Sequence, residues 1–102
     1  MKVENVRGSS KYAKPDGYSS WREYWEKNCG FNFSFQDGKR YKCPACGKWY
    51  APQNWDGCHV QKANSTDRSW YIVPLCDNCN QREDEVLDIG DLKMVPVPSN
   101  LQ

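Results

Sequence analysis

The sequence predicts a small α+β domain held together by a metal staple. Three observations predict it. Cys43-Pro44-Ala45-Cys46-Gly47 and Cys76-Asp77-Asn78-Cys79 are two Cys-x-x-Cys turns separated by 29 residues. Trp70-Tyr71-Ile72-Val73-Pro74-Leu75, the most β-prone run, leads directly into the second turn. Ser20 to Cys29 carries apolar residues at helical spacing. A chain of 102 residues buries only about 60–65% of its unfolded surface, so its core needs such a staple.

Composition narrows the class. With 38% apolar and 14% aromatic residues, the chain is too aromatic for disorder, and its mean hydropathy of −0.94 is too polar for a membrane protein. Met1 to Arg7 lacks an apolar secretory core, and no run approaches a membrane span, so a cytoplasmic protein without membrane partners is expected. There thiols stay reduced, and paired cysteines favour metal over disulfides. Net charge is +1, but residues 1–68 carry 12 Lys/Arg against 7 Asp/Glu (+5), and residues 69–102 carry 2 against 6 (−4). The basic two-thirds leaves a nucleic-acid face open, while the small total argues against strong non-specific DNA binding.

Taken in order, residues 1–18 are polar, turn at Pro15-Asp16-Gly17, and read as a flexible lead-in to a single domain over 19–102. A short helix follows. Ser20 and Glu23 form a capping box, Trp21, Tyr24 and Trp25 share a face that suits core packing better than base stacking, and Gly30 stops the helix. Phe31, Phe33 and Phe35 alternate as a short strand or an extended arm would, and Asp37-Gly38 turns toward the first cysteine pair. A strand is expected over 57–61, its hairpin partner over 70–75, a helix over 80–87, and an extended tail over 92–98 whose prolines confine it to a sheet edge or surface groove.

Each Cys-x-x-Cys turn offers two sulfurs on one side of a tight loop, so Cys43, Cys46, Cys76 and Cys79 are the expected ligands of one structural Zn²⁺. Gly47 lets the first turn curl, and the second opens a helix whose amides favour thiolates. Knuckle, hairpin and knuckle-to-helix is the order of a treble clef. Cys29 reads as a small buried hydrophobe beneath the first helix. Cys58 and His59, as strand neighbours, point to opposite faces. A second zinc on Cys29, Cys58 and His59 lacks a fourth ligand.

Residues 43–87 resemble the HNH endonuclease module, a ββα-metal fold often braced by a four-cysteine zinc. The resemblance rests on Cys43-x-x-Cys46, Gly57-Cys58-His59-Val60 and Pro74-Leu75-Cys76-x-x-Cys79-Asn80. It implies His59 as general base and Asn80 as ligand of a catalytic divalent cation such as Mg²⁺. Two positions depart from the pattern. Cys58 stands where a hard metal ligand is expected, with Asp56 as its replacement on the metal, and Tyr71 stands where an Asn orients the base, with Asn64 or Asp67 of the loop as its replacement. The expected function is therefore a non-catalytic module that binds nucleic acid or another protein, without a small-molecule cofactor. The alternative is a divalent-metal-dependent DNA endonuclease.

Overall fold

The computed structural model describes residues 1–7 and 14–101 of the chain. Its centre is an antiparallel hairpin of β4 (Trp55–Lys62) and β5 (Tyr71–Cys76). Strand β1 (Lys2–Asn5) pairs with β4. Two-residue strands β6 (Leu87–Asp88) and β7 (Val95–Pro96) close the edges, giving a five-stranded order β6-β1-β4-β5-β7. A second sheet is a small ribbon of β2 (Tyr41–Lys42) and β3 (Trp49–Tyr50) around the first cysteine turn.

Helix α1 (Trp21–Cys29) forms as the sequence dictates. The Ser20 hydroxyl accepts the Glu23 backbone N–H at 3.1 Å, and the Glu23 carboxylate accepts the N–H of Ser19, one residue before the expected partner. Gly30, in the left-handed region at φ 68°, ends it. Trp21 and Trp25 are buried against the hairpin. The helix also ties down the chain's far end, because Trp25 Nε1 donates to the Lys93 carbonyl at 2.8 Å and Tyr24 Oη to the Pro96 carbonyl at 2.6 Å. The tail thus becomes edge strand β7, as its prolines require.

Three expectations need correction. The lead-in over 1–18 begins with a strand, since Val3 is fully buried between β4 and β6; residues 8–13 of that segment lie outside the described part. Phe31 to Phe35 is not a strand. Side chains supply the missing ladder, the Glu26 carboxylate accepting Phe33 N–H and Tyr41 Oη accepting Ser34 N–H, both at 2.7 Å, while Phe33 packs on Tyr41 and Trp55. The helix over 80–87 is replaced by one turn, α2 (Asp77–Asn80), after which the chain drops to β6. Leu87 is drawn into the core as a strand residue, and the acidic run before it stays exposed, where its charges are solvated.

Candidate metal centre and the cleft beside it

The four predicted cysteines meet. Their sulfurs all lie within 4.8 Å of one another, with Cys43 Sγ to Cys79 Sγ at 3.8 Å and Cys46 Sγ to Cys76 Sγ at 3.9 Å. A tetrahedral ion with metal–sulfur bonds of about 2.3 Å sets its sulfurs roughly 3.8 Å apart, so the set fits a tetrahedral soft metal ion such as zinc. Local backbone geometry builds the first turn. Cys43 N–H donates to the Lys48 carbonyl and Gly47 N–H to the Cys43 carbonyl, both at 2.8 Å, with Gly47 at φ 76°. The second turn grows from the end of β5, so the hairpin carries both of its sulfurs to the first pair.

Electrostatics match this role. Burial pushes the Cys46 thiol up, but hydrogen bonds from the Lys48 N–H and from its sulfur and Tyr50 neighbours outweigh it and bring the value down to about 7. Burial pushes Cys76 and Cys79 up. Three of the four thiols are completely buried, so a bound cation would let them share the site as thiolates.

One contributor is absent from the sequence reading. Asn5 of β1 reaches across to donate from Nδ2 to the Cys79 and Arg82 carbonyls, both at 2.9 Å. It adds a side-chain donor to the end of the second turn, where the Arg82 N–H already bonds the Cys79 carbonyl at 3.2 Å, and so ties that turn to β1. Nothing local in the sequence marks it, since Val3 and Val6 are isolated apolar residues inside a polar segment.

Among the described residues no second metal group of three or more ligands forms. Cys29 packs half-buried against the core at the end of α1. Cys58 is buried with its sulfur 3.4 Å from the Asp56 carbonyl, and burial holds its thiol well above the ordinary value.

Beside the cysteines lies a cleft of about 690 Å³. It opens where β1 leaves β4 after the Val6 N–H to His59 carbonyl bond, between the start of α1 and the end of α2. His59, Asn80 and Asp56 all line it. Asn80 Nδ2 donates to the Asp56 carboxylate at 3.3 Å. Burial, then the neighbouring Asp77, raises Asp56 to about 6.

His59 is differently placed. It is only 4% exposed, with its ring edge-on to Trp21 at 4.7 Å and to Trp70 at 5.7 Å between centroids. Tyr71 pairs with Val60 and so faces away from His59. Its hydroxyl instead donates to Asp67 at 2.6 Å, and Lys62 completes that cluster at 3.1 Å. Asp67 thus closes the hairpin loop, and this cluster together with Asn64 stands at the hairpin's far end from Asp56.

Burial lowers the His59 pKa to about 4, against about 6.5 in an unfolded chain. The unfolded state therefore takes up the proton first as pH falls. Stability from this group is complete above about pH 6.5 and declines toward pH 4 by up to about 3 kcal/mol. Urea unfolding of native protein and His59→Gln across that range should show a steeper acid loss for the native chain. Parallel curves would remove the buried neutral imidazole as the cause.

Among the described residues no helix is long and apolar enough to cross a membrane. The chain matches no protein-family model, no curated protein and no solved structure.

Proposed function

We propose that this chain is a zinc-stabilised, non-catalytic module of HNH-like, treble-clef type whose partner is a nucleic acid. The observation that carries this reading is the β2–β3 ribbon. Lys39, Arg40, Lys42 and Lys48 are all exposed on or beside it, no acidic residue occurs between Asp37 and Asp56, and Trp49 stands in the same ribbon 60% exposed. Such an interleaving of cations and an aromatic ring suits a polyanion with π-faces better than a protein surface. The four cysteines would hold the zinc, which would supply structural charge and fix the ribbon to the sheet.

The state of His59 supports a non-catalytic reading. A general base works best when its pKa lies near the operating pH and its nitrogen reaches a water. An imidazole near 4, wedged between two tryptophans, is a weak base. One observation favours the endonuclease alternative: His59, Asn80 and Asp56 line one cleft.

Two assays test these readings. Binding of oligonucleotide by zinc-loaded protein should weaken with salt at a log–log slope between about −1.5 and −3, the values for two to four phosphate contacts on a single strand. Salt-independent binding would refute a phosphate-driven interface. Plasmid incubated with protein and Mg²⁺ or Mn²⁺ should stay intact. Nicking that disappears in His59→Ala would replace the module with the nuclease.

A further inference from the structure

We infer that the ribbon takes single-stranded nucleic acid, with an unpaired base stacked on Trp49 and the flanking phosphates held by Lys42 and Lys48. This rests on the nucleic-acid reading above and specifies its substrate class.

The ribbon has two unlike faces. Tyr41 and Tyr50 are cross-strand partners on the inner side, where Tyr41 packs on Phe33 at 4.9 Å and Tyr50 Oη lies 3.9 Å from Cys46 Sγ. Lys42 and Trp49 are the next cross-strand pair and therefore share the outer face. The indole consequently shares with the exposed Lys42 a surface that the core does not cover, and Lys48 is exposed one residue before it.

Four exposed cations near a metal–thiolate centre have a second explanation, as its counter-charges. Four thiolates around a divalent ion leave two negative charges. The four cations Lys39, Arg40, Lys42 and Lys48 exceed this by two. Lys39 covers the Tyr41 ring at 5.7 Å, whereas Lys42 stays exposed although its Cε passes 3.9 Å from where a Cβ on Gly47 would stand. The excess remains for a ligand, and charge balance alone gives no reason to expose an indole among cations.

Stacking decides between strands. A duplex keeps its base faces covered, so an indole on a ribbon gains little from it, whereas an unpaired base offers a full π-face. Three of the four cations are lysines, flexible point charges that suit phosphates more than the fixed geometry of base edges. The outer face therefore suits a flexible strand with little sequence preference.

The test is fluorescence anisotropy of a labelled short oligo-thymidylate and of a duplex of equal length. Zinc-loaded native protein, Trp49→Ala, Trp49→Phe and the double variant Lys42→Glu/Lys48→Glu are compared at one low salt concentration. The expected result is preference for the single strand, a loss of about tenfold or more in Trp49→Ala, retention in Trp49→Phe, and abolition in the charge-reversed variant. Zinc content serves as the folding control, and Trp49 is exposed enough for the alanine chain to fold. Equal single-strand affinity in native protein and Trp49→Ala, or a preference for duplex, would overturn the stacking inference and leave nucleic-acid binding standing. No binding of either oligonucleotide by native protein would remove both. Polyglutamate bound as tightly as the oligonucleotide and unaffected by Trp49→Ala would mark an acidic protein partner instead.

Discussion

If the four cysteines hold the proposed zinc, a strong chelator should unfold this domain, not merely loosen it. A chain of this length has a net stability of about 5–15 kcal/mol, and a structural zinc supplies about 10–16 kcal/mol of apparent binding free energy. The two are comparable, so the folded state loses most or all of its margin with the ion. The geometry makes the loss severe. Three of the sulfurs are fully buried, and each Cys-x-x-Cys turn anchors a different layer, the ribbon through Cys43 and Cys46, the central hairpin through Cys76 and Cys79. Without a cation, four thiols within 4.8 Å must protonate or repel. Near-UV circular dichroism and amide dispersion should collapse together on chelation and return with added Zn²⁺. Cys79→Ser should give the same spectrum without chelator. A dispersed spectrum at zero metal content would show that the core holds alone.

The second large effect comes from one glycine. Gly57 lies in β4 directly beneath the first turn of α1, and a Cβ there would stand 2.3 Å from the Arg22 nitrogen and 2.4 Å from the Trp21 carbonyl carbon. Both are backbone atoms, and the Ser20 cap fixes them, so no side-chain rotation can make room. Gly57→Ala must prise the helix off the sheet, breaking the Trp21 contact with His59 and moving Arg22 from the Pro52 carbonyl, to which it donates at 2.7 Å. A loss of about 3 kcal/mol or more is expected. Urea unfolding of zinc-loaded protein measures it, and a change under about 1 kcal/mol would show that the interface yields.

The parts of this fold carried by short-range chemistry were legible in the residues. Ser20, Glu23 and Gly30 mark both ends of α1, and the hairpin expected over 57–61 and 70–75 forms over the slightly longer Trp55–Lys62 and Tyr71–Cys76. The cysteine cluster followed from spacing alone. Long-range pairing was not legible. Lys2 to Asn5 becomes a strand only because β4 offers a partner some 60 residues away in sequence, and nothing in a mostly polar tetrapeptide announces that. Asn80 to Leu87 has the composition of a helix, yet the burial of Leu87 and Ile89 in the sheet outweighs it. The same limit applies to the cleft. Gly57 and His59 are adjacent to Cys58 in sequence, but that the first would pack on a helix backbone and the second between Trp21 and Trp70 depends on elements far along the chain. The basic ribbon was visible only within the positive balance of residues 1–68, because exposure of Trp49 is a property of the folded sheet.

The most direct measurement is amide chemical-shift mapping of the zinc-loaded protein as a short single-stranded oligonucleotide is added. A nucleic-acid module working through its metal-braced ribbon predicts shifts concentrated at Lys39 to Tyr50, with the Trp49 indole N–H among the largest and the cleft residues Asp56, His59 and Asn80 unmoved. Shifts centred on those cleft residues, or none at all, would contradict it.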